Sequence, residues 1–369
     1  MSVSRKPGRE DTLRVRWRGA FFLFFCLLVA LGSNARATHG QQTKKEKKRP
    51  RASGREACLP ALCLLLAGCV AHAAGAGLVA IPFVDGADLP LADEGGPNRL
   101  GPFAVAGSFE LEGPKGLGGI SGALVDGGGL YLLSDRARLW RATMVLDASG
   151  NLKALRGWRD WRLVDPADSA RDLDTEDLAR LPDGRLVVTD EGTNGLGILG
   201  VPEGDAIPVD FSTLPAAFPV TRPNRGAEAL TALPDGRLLA LSEGEPAPDG
   251  LLGAVVGPEG SAPLAWPDDG FNPTAADLDG ETLYVLERRF GLLGGFKARL
   301  LRLDAAAVRP GAKPRPDRLA AIGPGLAVDN YEALAFRRDP AGRPRLLVVS
   351  DDNFNVLQRT LVLDLVLDL

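Results

Sequence analysis

DTEDLARLPDGRLVVTDE, residues 174–191, holds the plan of the chain in one hairpin: an apolar strand, a Pro-Asp-Gly turn, a second apolar strand and an acidic end. Pro182 presets φ and Gly184 tolerates a positive one, so the turn is tight. Alternation on either side gives two half-buried strands. The pattern returns with the same turn in GAEALTALPDGRLLALSE (226–243). Variants of it stand in GISGALVDGGGLYLLSD (119–135), TAADLDGETLYVLER (274–288) and YEALAFRRDPAGRPRLLVVSDD (331–352). The starts lie about 45–60 residues apart, a spacing that marks a repeat fold. Further strand-like stretches at 197–201, 252–256 and 298–303 bring each repeat to four strands. No long stretch carries a 3.6-residue period with caps. The 45 glycines and 28 prolines suit strands and turns.

These features predict an all-β fold: a single β-propeller of five or six four-stranded blades over residues 78–369. The strand Phe103–Leu111 and the insert Arg136–Asp172 are expected to close the ring or to supply the sixth blade. A β-sandwich is the alternative, against which the near-identical hairpins argue.

Residues 1–77 read as a non-globular export region. Arg14, Arg16 and Arg18 precede an apolar run from Ala20 to Leu31, followed by Ala35-Arg36-Ala37. That is the order of a secretory signal. A basic linker follows, and a second run from Ala57 ends in Leu66-Ala67-Gly68-Cys69, a lipobox that makes Cys69 the expected lipidation site. Plain cleavage near Ala71-His72-Ala73 is the other option. Both runs are too short to span a bilayer. One signal suffices, so the working start is expected downstream of the first. The expected location is the periplasm or the outer membrane, the latter through the lipid anchor.

Composition restricts the chemistry. All four cysteines (Cys26, Cys58, Cys63, Cys69) and both histidines (His39, His72) precede residue 73. The remainder cannot run a Ser-His-Asp or Cys-His mechanism, cannot bind zinc through His or Cys and contains no disulfide. Residues 1–69 hold 14 Lys or Arg against 4 Asp or Glu, leaving 29 basic and 43 acidic residues beyond them. A domain so acidic repels nucleic acid and suits cations. No coiled-coil pattern appears, and a monomer is expected.

Two recurring polar positions define a candidate site. The first, at the start of the leading strand, holds Ser121, Glu176, Glu228 and Glu332, with Ala275 at the equivalent point of the fourth repeat. The second, at the end of the following strand, holds Asp135, Asp190 and Glu191, Glu243, Glu287, and Asp351 with Asp352. The start of one strand lies beside the end of its hairpin partner, so both sets are expected on one rim of the propeller. Arg136, Arg225 and Arg288 adjoin them. A rim so rich in carboxylates needs arginine partners or a cation such as Ca²⁺ or Mg²⁺. The bland alternative is that these acids lock blade to blade by accepting backbone N–H groups.

At these residues the sequence resembles the phytase-like ("esterase-like activity of phytase") family of exported bacterial propellers. The pieces are GGISGALVD (118–126), DTEDLARLPDG (174–184), VTDEG (188–192), NRGAEALTALPDG (224–236), LERRF (286–290), NYEALAF (330–336) and VVSDDNFN (348–355). Asp177, Ala229 and Ala333 stand where that family usually has glycine. The resemblance implies a hydrolase acting on a small phosphate ester or other ester; with the rim carboxylates, Ca²⁺ or Mg²⁺ is the expected cofactor and no organic one is expected. On that reading Glu176, Asp190, Glu191, Glu332, Asp351 and Asp352 hold the metal beside Glu228. Arg225 and Arg288 stabilise negative charge, and Glu243 or Glu287 acts as general base. Ser121, Asp135, Asn224, Asn330 and Asn353 contact the ligand. The competing reading is a non-catalytic surface lipoprotein whose rim captures a ligand or partner.

Overall fold

A computed structural model describes residues 77–80, 99–219, 222, 224–291, 295–323 and 329–368. Both signal-like runs and Cys69, the expected lipidation site, lie outside the described residues. Each repeat folds as an antiparallel meander. Blade 1 is β4 (Ile120–Asp126), β5 (Gly129–Ser134), β6 (Arg138–Leu146) and β7 (Leu152–Val164). Blade 2 is β8 (Thr175–Arg180), β9 (Leu186–Asp190), β10 (Gly195–Leu199) and β11 (Ala206–Asp210). Blade 3 comprises β12 (Ala227–Ala232), β13 (Leu238–Ala247), β14 (Gly250–Gly257) and β15 (Gly260–Trp266). Blade 4 comprises β16 (Asn272–Asp279), β17 (Thr282–Gly291), β18 (Gly295–Asp304) and β19 (Asp317–Ile322).

Blade 5 takes three strands from the C-terminus, β20 (Asn330–Arg338), β21 (Pro344–Asp351) and β22 (Leu361–Leu367). Its fourth is β3 (Phe103–Glu112), paired antiparallel to β22 from Leu361↔Glu110 to Leu367↔Phe103. The short strands β1 (Gly77–Ala80) and β2 (Arg99–Leu100) add to β3. The N-terminal strand therefore closes the ring. The insert Arg136–Asp172 supplies β6 and β7 of blade 1 rather than a sixth blade, so the propeller has five blades.

The leading strands β4, β8, β12, β16 and β20 neighbour one another in that cyclic order and line the centre. Five apolar seams, one per pair of adjacent blades, hold the ring. Strand alternation serves two seams at once. Leu283 and Val285 of β17 pack toward Leu241 and Trp266 of blade 3. Tyr284 and Leu286 pack toward Tyr331 and Leu346 of blade 5. Blades 1 and 2 are also joined at their outer edges, where β7 and β11 pair in parallel from Ala206↔Arg162 to Pro208↔Val164. The Pro-Asp-Gly turns form as expected, with Gly184 at φ 89° and Gly236 at φ 85°.

Candidate active site at the propeller mouth

Every leading strand breaks its ladder at one level. The register slips at Ile120/Gly122, Thr175/Leu178, Ala227/Ala229, Pro273/Ala275 and Tyr331/Ala333. Such bulges re-aim a side chain. The residues set out in this way are Ser121, Glu176, Glu228, Thr274 and Glu332. The fourth repeat thus contributes Thr274 in place of Ala275, because Ala275 is the counterpart of Ala229 and Ala333, one residue beyond the repeat glutamates. Both hydroxyls bond main chain, Ser121 to the Thr175 carbonyl at 2.8 Å and Thr274 to that of Leu286 at 3.4 Å. Three glutamates remain at this level, each buried.

The second ring is read from the residues that close each hairpin. Asp135, Glu191 and Glu243 donate their N–H groups to the carbonyls of Gly119, Asp174 and Gly226. Arg288 and Asp351 pair with Asn272 and Asn330 at the same level. The ring is therefore Asp135, Glu191, Glu243, Arg288 and Asp351: four acids and one arginine.

Asp190 and Glu287 stand one residue earlier, and strand alternation turns both away. Asp190 lies on the Val188 side, bound by Arg171, by Thr193 at 2.5 Å and by the Asp174 N–H at 3.1 Å. Glu287 follows Leu283 and Val285 toward blade 3. There it is wholly buried, accepting from Trp266 Nε1 at 2.6 Å and from Arg299 Nε at 2.5 Å. Arg299 passes on to Asp269, so Glu287 is one end of a structural ion network rather than a free base. Asp352 is likewise structural, accepting the N–H groups of Gly119 and Phe354, each at 2.9 Å. Arg225 donates to the Gly244 carbonyl, and Arg136 stacks on Phe354 while its charge pulls against the rise of Asp135. Asn224 and Asn353 hold left-handed turn positions at φ 55° and 48°, a geometry asparagine tolerates.

Arg288 is the cation of the mouth. It donates to Glu243 Oε1 at 2.9 Å and to Asn330 Oδ1 at 2.6 Å, and lies 2.8 Å from Glu332 Oε1. Its Nε is buried without a partner. Asn330 Nδ2 also donates to Glu332 at 2.6 Å. Glu243, proposed as a free base, is instead ion-paired through this arginine.

Burial and mutual repulsion dominate the electrostatics. Burial raises Glu176 well above the usual carboxylate range, and the charges of Glu228, Glu332, Asp174 and Glu191 push it further. Burial and then Glu243 raise Glu228, against the pull of Arg288. Asp351 is pushed up to about 9 by burial and by Glu332, and Asp135 to about 6 by burial. Arg288, with Arg136 acting on Asp135, does not balance this crowd. Asp174, Glu176 and Glu191 each present an oxygen within 4.8 Å of the others. Oxygen donors alone, closely gathered and made costly by one another, fit a hard divalent cation. Asp174 was missed in the sequence because it precedes the leading strand, two residues before the repeat glutamate. Its counterparts Gly119, Gly226, Asn272 and Asn330 share no acidity that would have marked the position.

No curated protein matches the sequence. Among solved structures, a catalytically inactive virginiamycin B lyase from Staphylococcus aureus with quinupristin aligns at 12% identity, covering 74% of this chain and 82% of that one, with a TM-score of 0.35. The PQQ-bound aldose sugar dehydrogenase of Streptomyces coelicolor aligns at 16% identity over 68% and 95%, with a TM-score of 0.36. A gluconolactonase from Xanthomonas campestris aligns at 14% identity over 66% and 71%, with a TM-score of 0.33. The family described as phytase-like, esterase-like activity of phytase, matches residues 115–354, which hold all five leading strands and their bulges, and the chain belongs to it.

Proposed function

We propose that the mouth is the active site of a cation-assisted hydrolase of phosphate esters or other esters. The observation that carries this reading is the convergence of Asp174, Glu176 and Glu191 within 4.8 Å, inside a wider ring of acids. These three would hold Ca²⁺ or Mg²⁺, with Glu228 and Glu332 at the same level. A bound divalent cation supplies neutralisation of the carboxylates and polarisation of an ester oxygen. Arg288, fixed by Glu243, Asn330 and Glu332, presents positive charge to the negative charge that develops on the ester. Glu228, raised by burial, keeps its proton further up the pH scale than a free glutamate and hands it to the leaving group. Arg288 binds Glu243 through Oε1, and Oε2 of the same carboxylate is the acceptor for the proton of the attacking water. The neighbouring acids titrate as a set rather than singly.

The test uses the full-length chain with p-nitrophenyl phosphate and p-nitrophenyl acetate, with Ca²⁺, with Mg²⁺ and after chelation. The cation is expected to raise the melting temperature and support turnover. Glu176→Gln is expected to lose both while remaining folded. Turnover indifferent to chelation, or undiminished in Glu176→Gln, overturns the reading. The same proposal places the domain outside the cytoplasm on a lipid anchor at Cys69. Cys69→Ser is then expected to move the protein from the membrane to the soluble fraction, and an unchanged membrane fraction would count against the anchor.

A further inference from the structure

Directly after the bulged Glu176 comes Asp177, where the other four blades place Gly122, Ala229, Ala275 and Ala333. The bulge takes the Asp177 N–H out of the ladder, and Thr189 Oγ1 accepts it at 3.0 Å. The carboxylate is 1% exposed and acts only as an acceptor. Oδ1 takes the N–H of Leu178 at 2.8 Å. Oδ2 takes those of Leu230 at 2.9 Å and Ala276 at 3.3 Å. Leu230 belongs to β12, the adjacent leading strand, but Ala276 belongs to β16, one strand further round the ring. A side chain of β8 that reaches both lies across the propeller axis. From blade 1, a Cβ on Gly122 would stand 3.0 Å from Asp177 Cα. Four of the five leading strands therefore meet at this residue.

We propose that Asp177 is a positioning residue, a carboxylate pin across the axis that closes the channel beneath the mouth and fixes Glu176 beside Glu228 and Glu332. Of the three N–H groups it accepts, that of Leu178 is on its own strand and those of Leu230 and Ala276 are on β12 and β16, so the pin sets the spacing of blades 2, 3 and 4 at the level of the rim. Glu176 is held from its other side too, because Thr175 donates to the Ser134 carbonyl at 2.6 Å and accepts from Ser121 through its own carbonyl. Asp277 supplies a control within the same molecule. It is built alike, accepting Leu278 N–H and Phe336 N–H, each at 2.7 Å, and ties β16 to β20. It stands further along its strand from the bulge and flanks none of the three glutamates.

The consequence for the cation rests on the function proposed above; the pin itself does not. In the full-length chain, Asp177→Asn and Asp277→Asn are both expected to lower the melting temperature. An amide offers one acceptor oxygen and turns its NH₂ toward a backbone donor. Only Asp177→Asn is expected to weaken Ca²⁺ binding in calorimetry, by about tenfold or more, as loss of a residue that orients a ligand does. Unchanged Ca²⁺ affinity in Asp177→Asn, or equal weakening in Asp277→Asn, overturns the positioning role. If the wild-type chain takes up no Ca²⁺, the cation reading fails, and the pin is decided by amide hydrogen exchange. Leu230 and Ala276 are expected to be protected in wild type and Asp277→Asn and to exchange rapidly in Asp177→Asn. Unchanged protection overturns the pin. Should Asp177→Asn not fold, wild-type exchange decides: both amides must open only with global unfolding, and faster local opening of either overturns the proposal.

Discussion

At the mouth, a one-residue difference in strand position separates side chains held in the blade seams from those at the rim. Glu287 and Arg288 are neighbours, yet one joins Trp266 in a seam and the other joins Glu243 and Asn330 at the rim. The sequence shows such pairs only as acidic or mixed strand ends, and the bulge that fixes their phase leaves no signature of its own. That is why Ser121, Glu176, Glu228 and Glu332 were legible while Thr274, Asp174 and the turn of Glu287 into the seam with blade 3 were not. The raised carboxyls carry a pH prediction. A carboxyl with a folded pKa above its unfolded value binds its proton more tightly when folded, so its contribution to stability is lost as pH rises. For Asp351 the window runs from 3.8 to about 9, and for Asp135 from 3.8 to about 6. Asp147 and Asp210, lowered to about 2, exert their effect below that range. In chelator the melting temperature is expected to fall between pH 5 and 9, and saturating Ca²⁺ to flatten the fall. Calorimetric scans across that range check it; a profile rising with pH in chelator would contradict the assignment.

Among the elements, the hairpins were the most legible, because proline, glycine and period-two alternation act locally. The loops beside the mouth depend on contacts from distant sequence. Gly119 lies at φ 61°, and a Cβ there would sit 2.3 Å from the Phe354 ring and 2.4 Å from an Asp135 oxygen. Phe354 is placed by Asp352, whose carboxylate holds the Gly119 N–H. The paired glycines 118–119 and the Asp-Asp-Asn-Phe segment are thus two halves of one joint between blades 1 and 5. Gly119→Ala is expected to cost about 1–3 kcal/mol through overpacking, with further strain from the positive φ. Thermal or denaturant unfolding measures it, and a loss below about 0.5 kcal/mol, the size of an ordinary surface substitution, would show the joint to be slack.

On the scale of the whole molecule, the repeat count fixed the class of fold, and five hairpins correspond to five blades. How the ring closes was not legible, since β3 reads equally well as a closing strand or as part of another blade. Its pairing with β22 decides the matter. Removal of residues 99–112 is expected to bare the edge of β22 and produce oligomers, visible in size-exclusion chromatography. The parallel seam between β7 and β11 sets blades 1 and 2 apart from the rest. Backbone hydrogen bonds continue from β4 through to β8 in one eight-stranded sheet, so these two blades have no free line along which to part. Mechanically the ring then has one double link, while blades 3 and 4 share only two main-chain bonds, Ala265 N–H to the Ala312 carbonyl at 3.0 Å and Gly311 N–H to the Pro263 carbonyl at 2.8 Å. A pull or a thermal fluctuation would open it at a seam held by side chains alone, and the double link, which carries Asp174, Glu176 and Glu191 at its margin, would be the last piece to come apart.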